Sequence, residues 1–136
     1  MNKIYLASPL FNEKEKENII KIAAVLRFRG YEVYVPMEHQ IENAWDYPMN
    51  EWANLVFKED VKAINEADRV VAIIYGMKDD AGTAWEIGYS FGLNKTVDVI
   101  LASNERDIYS LMVLQSCDKV YNMDLEEIKK EFIMQS

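Results

Sequence analysis

The sequence predicts an α/β fold in which a parallel β-sheet is covered by helices on both faces. Strand-like and helix-like segments alternate along the 136 residues, as they do in chains of βαβ units. Val70–Ile74 is a continuous apolar run, the pattern of a parallel strand that is buried on both faces. No repeat, linker or low-complexity tract interrupts the chain. We therefore expect residues 1–136 to form a single domain.

The first predicted unit is a strand at Lys3–Ala7 followed by a helix. Asn12 can cap this helix, and Glu15 is spaced to complete a capping box. Apolar residues then recur at helical spacing, at Ile19, Ile22, Ala23 and Leu26. Gly30 is a natural helix stop, and Tyr31–Val35 is predicted to be the second strand.

The later elements continue the alternation after Pro36–Pro48, a segment too rich in polar and turn residues to assign. They are a helix from about Asn50 to Ala67, a strand at Val70–Ile74, a helix from about Gly82 to Leu93, a strand at Val97–Leu101, a helix near Asp107–Gln115, a short strand at Lys119–Tyr121 and a helix capped by Asp124 with Glu127. Five units fit a doubly wound, flavodoxin-like sheet of order 2-1-3-4-5 best. Ligands of such sheets bind beyond the carboxyl ends of strands 1 and 3. This predicts a site formed by residues 8–12 and 76–82.

The charge and composition exclude several classes of partner. The net charge of −8, from 23 acidic and 15 basic residues, repels nucleic acid polymers and anionic membrane surfaces. No stretch approaches the roughly 20 apolar residues that span a bilayer, and a strand begins too early for a signal peptide. The single cysteine, Cys117, excludes an internal disulfide and suits a reducing cytoplasm. An uncharged small molecule remains compatible as a ligand.

The motifs of common cofactors are missing from the sequence. The loop after the first strand, Ala7–Phe11, has no glycine fingerprint for a dinucleotide, and no phosphate-binding loop ends in Gly-Lys-Ser/Thr. His39 is the only histidine and Cys117 the only thiol, which argues against a zinc site. We therefore expect neither a nicotinamide nor a nucleoside-triphosphate enzyme, and no zinc site.

Glu86 is the leading candidate for a catalytic residue. It lies in an early turn of an otherwise apolar helix, where a carboxylate is costly to bury without neighbouring donors. The positive end of the helix favours its ionised form, as a nucleophile requires. The alternative is that Glu86 caps the helix or pairs with a distant lysine.

Further acidic and aromatic residues extend this site. Asp60 is one turn from Val56 and one from Ile64, so it shares an apolar helix face unless that face is misassigned and Asp60 is exposed. Asp79 and Asp80 precede the Glu86 helix, either in the site or in a solvated turn. A carboxylate can stabilise, and covalently trap, the positive charge that develops on a sugar ring, while a second acid protonates the leaving group. Four aromatic residues are candidates for stacking on a base or for ordinary core packing: Tyr5, Phe11, Trp52 and Trp85.

The segment 79–88, Asp-Asp-Ala-Gly-Thr-Ala-Trp-Glu-Ile-Gly, resembles the signature of the nucleoside 2-deoxyribosyltransferases. The resemblance extends to residues 4–11, 36–40 and 57–60 in the same order, and is weaker toward the C-terminus. It implies a flavodoxin-like fold, a two-step exchange of bases on 2′-deoxynucleosides, and no cofactor. It also implies a homo-oligomer, a dimer or a hexamer, whose sites are shared across an interface.

The resemblance also implies roles for individual residues. Glu86 attacks the anomeric carbon, Tyr5 orients Glu86 through its hydroxyl, and Asp60 manages the proton of the base. Gln40 hydrogen-bonds the edge of the base, and Asp80 holds the 5′-hydroxyl. Phe11 belongs to the loop around the base, whose geometry decides the preference between purines and pyrimidines.

Ser110 departs from the family pattern, which has asparagine at this position before Leu-Met in the stretch that completes a neighbouring subunit's site. Serine is typical of the related deoxynucleoside 5′-monophosphate N-glycosidases, where it helps to bind the phosphate. Those hydrolases also carry a serine where this chain has Asp80, and a carboxylate there repels a phosphate dianion. The sequence therefore favours a transferase. The alternatives are an N-glycoside hydrolase and a non-enzymatic nucleoside-binding domain.

Overall fold

The computed structural model describes residues 2–39, 44–76, 81–103 and 108–132. Within these ranges the strands are β1 (Lys3–Ala7), β2 (Glu32–Tyr34), β3 (Arg69–Ile74), β4 (Thr96–Leu101) and β5 (Lys119–Asn122). The helices are α1 (Glu13–Phe28), α2 (Met49–Glu66), α3 (Ala81–Gly92), α4 (Leu111–Gln115) and α5 (Leu125–Glu131), with short 3₁₀ helices at Pro36–His39 and Ala44–Asp46.

The five strands form one parallel sheet in the order β2-β1-β3-β4-β5. This confirms the predicted flavodoxin-like topology. β1 and β3 lie side by side, and the direction in which successive strands are added to the sheet reverses between them. The loops after these two strands therefore leave the same edge of the sheet, at the point where such folds hold their ligands.

Two apolar cores lie on opposite faces of the sheet. Along β3, Val71 and Ile73 pack in the core under α1 and α5, while Val70, Ala72 and Ile74 pack in the core under α2 and α3. All five side chains are at most 1% exposed, as the continuous apolar run predicts. Burying each large aliphatic side chain contributes about 1.5–3 kcal/mol, so β3 is a rigid base for the edge that it shares with β1.

The helix ends show how local chemistry sets the boundaries. Asn12 Oδ1 accepts the Glu15 N–H at 2.9 Å, while Glu15 Oε1 accepts the Phe11 N–H at 2.7 Å. The predicted capping box is therefore present, with its return bond one residue earlier than the usual pattern. Gly30, at φ 98°, follows α1 in the left-handed conformation that ends many helices.

Two predicted elements are shorter in the structure, one unassigned segment contains helical turns, and several other boundaries shift by a residue. The second strand is shorter than Tyr31–Val35 because β2 is an edge strand that pairs only with β1. The segment Pro36–Pro48, which the sequence left unassigned, contains the two 3₁₀ helices. The fourth helix begins at Leu111 because the Ser110 side chain caps it, accepting the Val113 N–H at 3.4 Å.

Candidate active site

A cavity of about 450 Å³ opens beyond the carboxyl end of β1. Its size falls within the range of small-molecule sites. Its lining comes from β1 and the predicted loop after it, from Pro36 after β2, and from α2 and α3; of the second predicted segment, 76–82, only Gly82 lines the cavity, and it lies in α3. The lining residues are Tyr5, Ser8, Leu10, Pro36, Trp52, Ala53, Val56, Phe57, Asp60, Val61, Ile64, Gly82, Trp85 and Glu86.

Glu86 and Tyr5 meet in this cavity. Tyr5 lies on β1 and faces α2 and α3, because alternate β1 side chains point to opposite sides of the sheet. Its hydroxyl donates a hydrogen bond to Glu86 Oε2. Glu86 is half-buried on α3, one turn beyond Gly82 of the same cavity. It is thus held by a side-chain donor from the neighbouring strand and does not cap the helix.

Burial and the negative charge of Glu86 both raise the pKa of Tyr5 far above its ordinary value. Burial is the larger cause, and the hydrogen bond to Glu86 adds to it. The phenol therefore keeps its proton throughout the pH range in which proteins work. Tyr5 is therefore a permanent hydrogen-bond donor to the Glu86 carboxylate, and β1 fixes its position.

Asp60 is half-buried on α2 and lines the cavity together with Val56 and Ile64, one turn to either side. The predicted apolar face is therefore the one that carries this carboxyl. Burial raises the pKa of Asp60 to about 6, helped by the nearby negative charge of Glu59 and opposed by His39. A carboxyl group with this pKa can both give and accept a proton near neutral pH.

Aromatic side chains form the open part of the cavity. Trp52 and Trp85 both line it and stay 38% and 47% exposed. Phe57 packs against Trp85 at 5.5 Å between ring centroids, and Tyr89 stacks on Trp85 at 5.1 Å. Flat apolar surfaces that are only partly covered suit a planar ring as ligand.

The structure does not bring every predicted site residue to this cavity. Phe11 is 78% exposed and is not among the lining residues, whereas its neighbour Leu10 is. Ser110 is exposed at the start of α4 and does not line the cavity of its own chain. Gln40, Asp79 and Asp80 lie outside the described residues.

Two aromatic rings next to the cavity were not predicted from the sequence to belong to the site. Tyr34, at the end of β2, stacks on Tyr5 at 5.6 Å, and His39 stacks on Tyr34 at 4.2 Å. The sequence contains only an indirect signal for these two rings, because a tyrosine on an edge strand and a single histidine do not form a recognisable motif. The position of Tyr34 follows from the strand register, in which Tyr5 pairs with Tyr34, and His39 is placed by the 3₁₀ helix after β2.

Two other kinds of feature are missing from the described part of the chain. No group of three or more His, Cys, Asp or Glu side chains there could hold a metal ion. None of the helices described has both the length and the apolar character needed to cross a membrane.

Comparison with known families gives one match that covers most of the chain. Residues 4–130 match the family described as nucleoside 2-deoxyribosyltransferase. The fold is similar to that of a 2-deoxyribosyltransferase from Bacillus psychrosaccharolyticus, with 38% identity, a TM-score of 0.85 and coverage of 93% of this chain and 90% of that one. A comparison with curated proteins gave no match.

Two more distant structures share the fold. A conserved protein from Enterococcus faecalis V583 is 22% identical, with a TM-score of 0.79 and coverage of 97% of both chains. A CMP N-glycosidase from Clostridium botulinum is 20% identical, with a TM-score of 0.66 and coverage of 97% of this chain and 99% of that one. At these identities the similarity concerns the architecture.

Proposed function

Because the chain belongs to the nucleoside 2-deoxyribosyltransferase family, we propose that it exchanges the bases of 2′-deoxynucleosides through a covalent deoxyribosyl ester on Glu86. The observation that carries this proposal is the hydrogen bond from Tyr5 to Glu86 inside the cavity. It holds the Glu86 carboxylate in place at the wall of the cavity. Asp60, in the same cavity, supplies a second acid with a raised pKa.

In the first step, Glu86 attacks the anomeric carbon of the deoxyribose. The bond from this carbon to the base nitrogen breaks, and the electron pair leaves with the base. Protonated Asp60 gives its proton to the departing base, directly or through water. Positive charge on the sugar ring is stabilised by the carboxylate before the ester bond forms. The products are a free base and a deoxyribosyl-Glu86 ester.

In the second step, a new base attacks the anomeric carbon and Glu86 leaves as a carboxylate. Asp60, now ionised, takes the proton that the attacking nitrogen loses. Tyr5 donates to Glu86 in both steps and therefore stabilises the leaving carboxylate. After the second step Glu86 is again a carboxylate and Asp60 is again protonated, so one site can carry out a ping-pong exchange.

The remaining contacts are proposals that rest on the resemblance. Asp80 holds the 5′-hydroxyl of the sugar, Gln40 bonds the edge of the base, and Phe11 covers the base from the loop after β1. Trp52 and Trp85 are better supported as walls for the base, because both line the cavity. No metal or organic cofactor takes part in the proposed reaction.

A homo-oligomer, dimer or hexamer, with sites shared across an interface belongs to the same proposal. Several large apolar side chains are more than three-quarters exposed in the single chain: Trp45, Met49, Leu111 and Met112. The last two adjoin Ser110, which does not line the cavity that holds Glu86 in its own chain. A second subunit that covers this surface would give Ser110 a site to complete.

The proposal includes a cytoplasmic role in nucleoside salvage and treats residues 1–136 as one domain. The sheet supports the latter, since its strands are drawn from Lys3 to Asn122.

The test is base exchange by the purified protein. Thymidine and adenine are incubated together, and deoxyadenosine and thymine are the expected products by chromatography. Glu86→Gln keeps an acceptor for the Tyr5 hydroxyl but lacks the nucleophile, so exchange falls by several orders of magnitude. Glu131→Gln, the same change on α5, is the matched control with full activity. Normal exchange by both Glu86→Gln and Glu86→Ala would contradict the role of Glu86, whereas no exchange by the wild type, with a biological effect that Glu86→Ala keeps in full, would support the non-enzymatic alternative.

The second candidate, an N-glycoside hydrolase, is favoured by Ser110, which stands where the family pattern has asparagine. Water then takes the place of the acceptor base at the anomeric carbon. Release of base from deoxynucleosides is compared with release from their 5′-monophosphates. Faster release from the monophosphate, without any exchanged nucleoside, identifies the hydrolase. Equal or slower release removes it.

A further inference from the structure

The indole ring of Trp85, which lines the Glu86 cavity, is held by two other rings. Tyr89 lies one turn further along α3 and stacks on Trp85 at 5.1 Å between ring centroids and 12° between ring planes. Phe57 of α2 packs against Trp85 at 5.5 Å and 57°. Trp85 is 47% exposed, so burial restrains its side chain only partly and these two ring contacts restrain it further.

Tyr89 is tied to α2 by its hydroxyl group. This hydroxyl donates a hydrogen bond to Asn65 Oδ1 at 2.9 Å, and the ring packs against the core under α2 and α3. On α2, Asn65 lies about two turns beyond Phe57, with Val61 of the cavity lining between them. Because residues four apart share a helix face, one face of α2 leads from the cavity to the residue that holds Tyr89.

The backbone at Asn65 is in turn bound by a lysine that follows α3. Lys95 Nζ donates hydrogen bonds to the carbonyl oxygens of Asn65 at 3.1 Å and of Ala67 at 2.6 Å. Both carbonyls lie at the C-terminal end of α2, where a helix favours a cation. The C-terminal ends of α2 and α3 are therefore joined close to the point at which Tyr89 is held.

The hydrogen bond between Tyr89 and Asn65 is exposed, so water competes for both groups and the bond contributes little to folding. Its main effect is to restrict the rotation of the Tyr89 ring and, through the ring contact, that of Trp85. A ligand that stacks on a ring that is already ordered loses less side-chain entropy when it binds. An ordered Trp85 therefore favours the binding of a planar group.

We propose that Tyr89, held by Asn65, is a positioning residue that keeps the Trp85 ring in the orientation on which a nucleobase stacks. Its part in base binding rests on the proposed function, whereas the ordering of Trp85 does not. Neither Asn65 nor Tyr89 is among the described residues that line the cavity, so both act through Trp85. We expect them to affect the affinity for the base and not the chemical step.

The ordering of Trp85 is tested first without any substrate. The chain has three tryptophans, so a ¹⁵N-labelled sample gives three indole N–H signals, and the Trp85→Phe variant shows which of them belongs to Trp85. The ¹H–¹⁵N NOE of this signal is measured in the wild type, in Tyr89→Phe, which lacks only the hydroxyl, and in Tyr89→Leu, which lacks the stacked ring. We expect the NOE to fall in both variants and further in Tyr89→Leu. An unchanged NOE in both would overturn the proposal, and a fall in Tyr89→Leu alone would overturn the part assigned to Asn65.

The kinetic test measures base exchange by Tyr89→Phe and by Asn65→Ala at saturating thymidine. Ordering one side chain on binding weakens affinity by a factor of about two to ten. We expect the KM for adenine to rise by this factor in each variant while kcat stays unchanged. Tyr121→Phe removes the same atom from a tyrosine on the opposite face of the sheet and is the matched control, with wild-type values of both constants.

A double-mutant comparison shows whether the effect passes through Trp85. In a Trp85→Leu protein, Tyr89→Phe should raise the KM for adenine no further, because the ring that it positions is absent. The same rise in KM in both backgrounds, or a fall in kcat with an unchanged KM, would mean a general structural role and would overturn the proposal. If the wild type exchanges no base, the proposed function fails, while the NMR comparison still decides whether Tyr89 orders Trp85.

Discussion

Tyr5 and Asp60 line one cavity, and their surroundings give them different proton affinities. Burial and Glu86 keep the Tyr5 phenol protonated at every working pH, because both raise its pKa. Asp60 has a pKa of about 6, since it is buried beside Glu59 while His39 partly compensates. One group is thus a fixed donor and the other an exchangeable acid, which is the division of labour that base exchange requires.

Replacing Tyr5 with phenylalanine tests the fixed donor. The ring and its stacking on Tyr34 remain, but Glu86 loses its hydroxyl partner. A hydrogen bond to a charged group contributes about 1.5–3 kcal/mol, so we expect kcat for exchange to fall by about 10- to 100-fold. Tyr121→Phe removes the same atom from a tyrosine on the opposite face of the sheet and is the control. Equal losses in both variants would contradict the assigned role.

Replacing Asp60 with asparagine tests the exchangeable acid through stability. The pKa of Asp60 is raised from 3.8 to about 6 in the folded protein, so folding favours the protonated form and is penalised as the pH rises through this window. Asp60→Asn removes the penalty. We expect its free energy of unfolding to exceed that of the wild type by about 1 kcal/mol above pH 6, allowing for solvent screening, and to match it near pH 3. Urea titrations at several pH values measure this difference, and a difference that does not vary with pH would contradict the prediction.

The sequence indicates the two acidic residues of the candidate site, but it does not indicate the stack of three rings beside them. Glu86 and Asp60 break apolar helical patterns, and such breaks are visible without a structure. The stack of Tyr5, Tyr34 and His39 depends on which residues of β1 and β2 are paired, and on a turn after β2. Neither the register nor the turn is encoded in a short local pattern.

At the level of elements, the turn that follows β3 leaves no room for a side chain. Gly76 follows β3 with a φ of 89°, and a Cβ there would come within 2.5 Å of the Ile108 side chain. Both the left-handed backbone and the close contact require glycine. This residue connects the rigid centre of the sheet to the chain that leads into α3 and Glu86.

Gly76→Ala is therefore expected to destabilise the fold by about 2 kcal/mol or more, through backbone strain and the clash with Ile108. Gly92→Ala is the matched control, because a Cβ there meets no atom within 4 Å and alanine favours a helix. Thermal unfolding should show a clear loss for the first variant and none for the second. Equal melting temperatures for the two variants would contradict the prediction, because they would mean that the loop accommodates the added methyl group.

The elements themselves were largely predictable, because their signals are local. The caps Asn12 and Asp124 and the stop at Gly30 act within a few residues of the helix ends, and each is confirmed. The short β2 was not predictable, since its length depends on having a partner on one side only. The same holds for the start of α4, where Ser110 caps a helix that apolar spacing alone extends further back.

At the level of the whole molecule, the apolar surface around α4 is the feature that a single chain leaves unexplained. Leu111 and Met112 are 76% and 83% exposed. Exposed apolar residues that adjoin one another are typical of contact surfaces between subunits. The proposed oligomer covers them and brings Ser110 to a neighbouring site.

Met112→Lys tests this arrangement by placing a charge in the proposed interface. We expect smaller particles in analytical ultracentrifugation and at least a tenfold loss of exchange at the same protein concentration, because buried unpaired charge is costly. Phe28→Lys alters a residue that is 82% exposed on α1, over the other core, and should change neither property. An unchanged sedimentation profile for Met112→Lys would remove α4 from the interface.

The most direct test of the central claim is to trap the ester on Glu86. The protein is mixed with thymidine in the absence of any acceptor base, quenched in acid and analysed by intact-mass and peptide mass spectrometry. We expect a fraction of the chains to gain the mass of one deoxyribosyl group, located on the peptide that contains Glu86 and absent from Glu86→Gln. Thymine release without any such adduct, or an adduct on another residue, would contradict the account.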